Sequence, residues 1–355
     1  MKILEINTEK TWRGGERQTL YNIQGFMEAG VTVELLARED HPLAERTRKI
    51  SGTVRPVSGH AAAWAFLCRH GRDYDILHAQ TGKAQSLAML AKPWHRRPVV
   101  YTRRVDFVPK GIATKLKYRH TDHVVPITHP IDDILADFGV PRRTIITEIV
   151  RERELDAERG EALRRELGIE GKHILATTSA LAPHKDPLNM VDAIAKLAKL
   201  RDDFVFLHFG DGELRSDVEK RLGESGLGDR YRLMGFYENV EDFFAIFDVF
   251  VMSSQEEGLG SSVLDAFIYR VPVVSTNAGG LKESVGDHGV LCPIKSPEAL
   301  ADGMHRVLSD AALRTDLVER AHAVALDVHS SERVTEEYLK LFEGMLKTAG
   351  NTPEI

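Results

Sequence analysis

Apolar residues along this chain fall in short runs, each followed by a polar turn and then by a longer stretch in which apolar positions recur every three or four residues. Short unbroken runs bounded by turn residues read as buried strands, and the longer periodic stretches read as amphipathic helices. In the first half the runs predict strands over residues 2–7, 31–37, 75–79, 98–102, 123–127 and 144–150, with a helix over about 15–29. The second half repeats the alternation, with strands over 173–179, 204–210, 231–235, 249–253 and 273–276 and a helical pattern over 187–200. Residues 151–167 are highly charged, with acids and arginines at helical spacing, and mark an interdomain helix or linker. Helices fill the chain from about residue 297 onward.

Alternation of this kind is the habit of doubly wound parallel sheets. The expected fold class is α/β, with two facing Rossmann-like domains over residues 1–160 and 161–330 and a cleft between them. Open α/β sheets bind ligands outside the carboxyl ends of their strands, so two such sheets offer one site each, which suits two-substrate chemistry.

Composition narrows the class. A chain of 355 residues with 43% hydrophobic and 28% charged residues is long enough for two cores and has the balance of a soluble globular protein. A formal net charge of -6 argues against general nucleic-acid binding. Cys68 and Cys292 lie far apart with no metal-ligand spacing and read as reduced, structural thiols of a cytosolic protein. Residues 1–7 carry polar and acidic positions where a signal peptide needs an apolar run, and no segment approaches membrane-spanning length. Any membrane contact is expected to be peripheral, at the inner face of the cytoplasmic membrane. No zinc, calcium or phosphate-loop metal pattern appears, so no metal is expected.

The densest chemistry lies in Glu257-Gly258-Leu259-Gly260-Ser261-Ser262-Val263-Leu264-Asp265. Glycines 258 and 260 let the backbone approach a ligand closely, and the first amides of the helix that follows are free donors at the positive end of its dipole. Glu257 before the helix and Asp265 about one turn inside it can accept from different hydroxyls of one ligand. The pattern suits an anionic, hydroxyl-rich ligand such as a sugar phosphate. The alternative is an ordinary loop and amphipathic helix with two solvated acids.

At these residues the chain resembles the family 4 retaining glycosyltransferases, the group 1 glycosyltransferases of GT-B fold, whose signature is an acid, a glycine-rich turn and a second acid eight positions after the first. Asp265 stands where the family usually has Glu and is one methylene shorter. Thr178-Ser179-Ala180-Leu181-Ala182-Pro183-His184-Lys185 also matches, with Lys185 in the place of the lysine that holds the donor diphosphate and Ala180 where an arginine is usual. The turns Gly210-Asp211-Gly212-Glu213, Leu233-Met234-Gly235-Phe236 and Gly279-Gly280-Leu281-Lys282-Glu283 are further landmarks, with Phe236 bordering the nucleobase. In the first half, Trp12-Arg13-Gly14-Gly15-Glu16 matches the family's glycine pair beside the donor phosphate. Arg104 occupies the region of a sugar-contacting histidine, and His78 matches a strand-end histidine that a structural role explains better.

The resemblance implies a retaining glycosyltransferase that moves a sugar from a nucleoside diphosphate sugar to a hydroxyl acceptor, with no cofactor beyond the donor. UDP, GDP and ADP remain open as the nucleotide, and the acceptor is a glycan or a lipid-linked glycan such as lipopolysaccharide or capsule. Glu257 and Lys185 are the expected catalytic residues. Gly14, Gly15, Lys185, Phe236, Glu257, Gly258, Leu259, Gly260, Ser261 and Asp265 are the expected donor-binding residues, with Arg104 and His78 facing the acceptor. A last helix, over 331–355, is expected to cross back to the first domain. Two other readings stay open: a nucleotide-sugar epimerase on the same fold, and a non-catalytic nucleotide-sugar binding or scaffold protein, prompted by Ala180, Arg104 and Asp265.

Residues 92–119 form a basic strip with one acid, Asp106, and with Trp94, Tyr101, Phe107 and Tyr118 interleaved. Such a strip fits a phosphorylated glycan or lipid acceptor, an anionic membrane surface, or a merely solvated face.

Overall fold

In a computed structural model, which describes residues 1–350, the strands form two six-stranded parallel sheets with helices between successive strands. The chain divides into two units, Met1–Arg151 joined by the chain from Val328 onward, and Glu152–Asp327.

In the first unit the order along the chain is β1 (Lys2–Ile6), α1 (Gly14–Glu28), β2 (Thr32–Arg38), α2 (Pro42–Lys49), β3 (Thr53–Val57), α3 (His60–His70), β4 (Ile76–Ala79), α4 (Gly82–His95), β5 (Val99–Arg103), α5 (Ile112–His120), β6 (His123–Pro126) and α6 (His129–Asp137). The sheet runs β3-β2-β1-β4-β5-β6. Register pairs Ile3 with Val33 on one side and with Ile76 on the other, so residues 3–6, including Glu5, are buried on both faces. That is why these strands read as unbroken runs instead of alternating ones.

The second unit contains α7 (Ala157–Glu166), β7 (His173–Thr178), α8 (Pro187–Leu197), β8 (Phe204–Phe209), α9 (Arg215–Ser225), β9 (Tyr231–Gly235), β10 (Val249–Met252), α10 (Ser261–Ile268), β11 (Val273–Thr276), α11 (Leu281–Val285), β12 (Val290–Cys292), α12 (Pro297–Ser309) and α13 (Ala311–Asp327). Its sheet runs β12-β11-β10-β7-β8-β9, the same winding as the first. Leu175, Phe206, Val251 and Val274 from the strands pack against Met190, Ile194 and Met304 from α8 and α12 in one core.

The last helix, α14 (Ser331–Gly350), lies on the first unit. Tyr338 and Phe342 meet Phe26 of α1 at ring separations of 6.1 and 5.8 Å. The Tyr338 hydroxyl also lies 2.9 Å from Thr102 Oγ1 at the end of β5.

The segment expected as a strand at 144–150 does not join the sheet along its length. Ile149 instead exchanges two hydrogen bonds with the Gln18 side chain, Gln18 Nε2 donating to its carbonyl at 2.8 Å and Oε1 accepting from its amide at 2.9 Å. Val150 donates to the His329 carbonyl. Thr144 and Ile146 still donate to the Val124 and Pro126 carbonyls of β6, so only the end of the segment, Ile149 and Val150, is satisfied away from the sheet. Both cysteines are free, and burial pushes the Cys292 thiol up to about 11. No described helix is long and apolar enough to cross a membrane.

Candidate functional site

Both sheets wind outward in two directions from their middle, and a crevice forms where the direction reverses. In the second unit that point lies between β7 and β10, which pair at Val249 with Leu175. The loop after β7 carries Lys185 and the loop after β10 carries Glu257.

Local chemistry fixes each loop. Pro183–Lys185 forms a single 3-10 turn, and Asp186, in the left-handed region at φ 48°, caps α8 by accepting from the Asn189 amide. Ser253 Oγ donates to the carbonyls of Lys185 and Asp186 at 2.9 and 3.0 Å, while the amides of Gln255 and Glu256 donate to the His184 carbonyl. The two loops are therefore stapled together through backbone groups. Lys185 Nζ donates to Glu257 Oε2, and both side chains are largely buried. The sequence-predicted catalytic pair meets in space.

Glycine is required behind this pair. Gly280 donates to the Glu257 carbonyl at 2.8 Å, and a Cβ on Gly280 would lie 1.9 Å from the Gly258 carbonyl oxygen. Gly260 sits at φ +84°, where a side chain would be strained. Ser284 Oγ takes the Leu259 carbonyl at 2.7 Å. With its carbonyls engaged from below, the loop leaves the amides of Leu259, Gly260, Ser261 and Ser262 without an acceptor among the described residues. These amides open α10, so they form a donor set for oxyanions or hydroxyls.

Asp265 lies inside α10 and is largely buried. Phe236, just past β9, is 68% exposed, an aromatic face with no packing duty at the same end of the sheet. Gly210 donates to the Gly235 carbonyl and abuts the Ser179 carbonyl so closely that a Cβ would stand 2.0 Å from it. Sequence reading missed His208. Its Nε2 donates to the Ser179 carbonyl at 3.0 Å and its Nδ1 accepts from the Tyr231 hydroxyl at 2.7 Å, and burial lowers its pKa to about 4. A neutral histidine thus holds the loop that leads to Lys185. A lone histidine within the apolar run Phe204–Phe209 offers no sequence signal beyond its polarity.

The remaining predicted residues lie in the first unit. Gly14 and Gly15 begin α1, and no atom lies within 4 Å of where a Gly15 Cβ would be, so packing does not demand glycine there. Arg104 donates from Nε to Glu148 at 3.0 Å and from Nη1 to Gln80 Oε1 at 2.6 Å. Gln80 in turn donates to Glu5. His78 corrects the expectation of an acceptor contact: it is 0% exposed, its Nδ1 lies 2.7 Å from Glu5 and its Nε2 2.8 Å from Thr102. Both ring nitrogens are used inside the core, so the ring has neither the access nor the free polar atom that ligand contact needs.

Residues 12–147 match the family described as Glycosyltransferase Family 4, and residues 160–324 match Glycosyl transferases group 1. The chain belongs to the group 1, family 4 glycosyltransferases. Among curated relatives, a lipopolysaccharide core biosynthesis glycosyltransferase, LpsE of Rhizobium meliloti, is 34% identical over 43% of this chain and 44% of its own length. A 2-deoxystreptamine glucosyltransferase of Streptomyces kanamyceticus is 33% identical over 59% of this chain and 57% of its own. The chain thus spans about half the length of the curated relatives it matches. Anabaena Alr3699/HepE, solved in complex with UDP and glucose, shares the fold with TM-score 0.85 at 19% identity, covering 97% of this chain and 100% of that one.

Proposed function

We propose that this chain is a retaining glycosyltransferase that moves a sugar from a nucleoside diphosphate sugar to a hydroxyl acceptor in bacterial envelope glycan synthesis. The observation that carries the reading is the Lys185–Glu257 pair at the sheet's reversal point, beside unpartnered amides at the start of α10. Glu257 and the amides of Leu259, Gly260 and Ser261 hold the donor sugar's hydroxyls. Lys185 stabilises the charge that builds on the diphosphate as the glycosidic bond breaks. Asp265 accepts from the ribose, through a bridging water where its shorter side chain falls short. Phe236 borders the base, Gly14 and Gly15 offer the start of α1 to a phosphate, and Arg104, held by Glu148 and Gln80, serves the acceptor.

In this reading the C1–O bond to the diphosphate breaks and the acceptor oxygen attacks from the same face, its proton passing to the leaving phosphate. No side chain becomes covalently attached. UDP is the first nucleotide to try, since HepE was solved with UDP and glucose. The acceptor in this reading is a glycan or lipid-linked glycan at the cytoplasmic face of the membrane, and the lipopolysaccharide relative supports its glycan part.

The test is thermal unfolding with UDP, GDP, ADP and their glucose and N-acetylglucosamine conjugates, because a ligand held by the native state raises the melting point. One nucleotide should give a clear rise, and its sugar conjugate should then yield an α-linked product on incubation with acceptor glycans. Absence of a rise with every nucleotide at millimolar concentration would overturn the reading in favour of a scaffold.

A further inference from the structure

The structure changes the character of the basic strip at 92–119. Tyr101 and Tyr118 are buried, and Lys117 turns inward to the Gly82 carbonyl and Ser86 Oγ at 3.2 and 3.1 Å. What remains outside is more apolar than the sequence indicated. Val105, Phe107, Val108, Ile112 and Leu116 are all exposed, Ile112 at 81% and Phe107 at 60%. Lys110, Lys115 and Arg119 are exposed among them. A soluble protein rarely leaves so many large apolar side chains clustered without a partner.

This apolar tip is held in place from beneath. Arg103, 1% exposed, donates from Nη2 to the Phe107 carbonyl and from Nη1 to the Tyr118 hydroxyl, and its guanidinium carbon lies 5.0 Å from the Phe107 ring centre. No carboxylate pairs with it among the described residues. Burying an unpaired cation is costly, and here it fastens both the loop before α5 and α5 itself to the end of β5. The loop is therefore built, with its apolar side chains directed outward. On α5, Ile112 and Leu116 stand four residues apart on one face, and Lys115 and Arg119 share the adjacent one.

We infer that the loop 105–111 and α5 dock this protein on an anionic bilayer, with Phe107, Val108, Ile112 and Leu116 entering the headgroup boundary and Lys110, Lys115 and Arg119 meeting lipid phosphates. Exposed apolar side chains interspersed with cations, on a chain whose net charge is -6, match the charge and polarity of such a surface, and the apolar share favours it over a free phosphorylated glycan. The inference deepens the proposed reading by identifying the surface that brings the enzyme to a lipid-linked acceptor, and it rests on that reading for its purpose.

The test is co-sedimentation of the full chain with vesicles of phosphatidylethanolamine and phosphatidylglycerol, against vesicles of phosphatidylcholine alone. Wild type should sediment with the anionic vesicles and not with the neutral ones, and less so in high salt. Ile112→Ser with Leu116→Ser should lower the partition coefficient by about tenfold or more. Lys110→Gln, Lys115→Gln and Arg119→Gln together should lower it by a similar factor, at about fivefold per cation as an upper bound. Wild type that ignores anionic lipid, or either variant sedimenting like wild type, overturns the inference. All these side chains are exposed, so unchanged melting points are expected. UDP binding measured on the same samples reports on the proposed function separately.

Discussion

Lys185 Nζ donates to Glu257 Oε2 across 72 positions of sequence, from loops that follow different strands. Each charge is therefore answered by the other while also being the group proposed for the donor. A diphosphate reaching Lys185 competes with Glu257, and the freed carboxylate becomes available to the sugar. The pair links recognition of the two halves of one donor.

Removing one partner separates these roles. Glu257→Gln should reduce turnover by about a hundredfold or more, as loss of a preorganised electrostatic contact does. Affinity for UDP without a sugar should hold or improve, since Lys185 is no longer occupied. Lys185→Met should weaken UDP and UDP-sugar alike. Steady-state kinetics with isothermal titration of UDP check both, and weaker UDP binding by Glu257→Gln would contradict the competition.

Gly280→Ala tests the backing of the loop. The new methyl group would meet the Gly258 carbonyl oxygen, a backbone atom that cannot swing away as a side-chain tip can. Overpacking of this kind costs about 1–3 kcal/mol and displaces the Glu257 loop. A lowered urea midpoint together with lost nucleotide binding is the expected outcome. Gly15→Ala meets no atom at its Cβ position and should leave stability within about 0.5 kcal/mol.

These residues show how far sequence carried. The apolar runs that became β1, β2, β4 to β8, β10 and β11 stood out because both faces are mostly buried, and β9, a half-buried edge strand, was legible as well. The edge strands β3 and β12 were not expected: one contains Pro56 and is mostly exposed, and the other is only Val290–Cys292. Residues 144–150 looked like a strand because the run is β-branched; its start does donate to β6, but a distant glutamine takes Ile149 and His329 takes Val150, so the pairing does not run on. Glu257 to Asp265 was legible because its spacing is local. The Glu5–His78–Thr102–Tyr338 chain joins four distant segments, so the sequence could favour a structural role for His78 but could not name the partners that rule out acceptor contact.

His208 makes stability depend on pH. Burial favours its neutral form and lowers the folded-state pKa to about 4 from the ordinary 6.5. As pH falls through 6.5 the unfolded chain takes up a proton that the folded chain refuses until about pH 4. Stability is then lost across that window, by roughly 3 kcal/mol if the whole shift is realised. Urea unfolding at pH 7 and pH 4.5 should show a smaller loss for His208→Gln than for wild type. Equal losses would mean that the ring takes up its proton without penalty.

Ala180 gives a gain-of-function prediction. It is exposed on the loop after β7, five residues before Lys185, at the position where the family usually carries an arginine. An arginine there would have room to extend and would present a planar fork to phosphate oxygens, a geometry that lysine cannot reproduce. Ala180→Arg should tighten UDP by about tenfold, within the range of one charge-assisted contact, and the gain should shrink with salt. Ala180→Gln, with similar bulk and no charge, should give none of it. If Ala180→Arg leaves affinity unchanged at low salt, the diphosphate does not lie beside this loop, and Lys185 loses its proposed role along with the missing arginine.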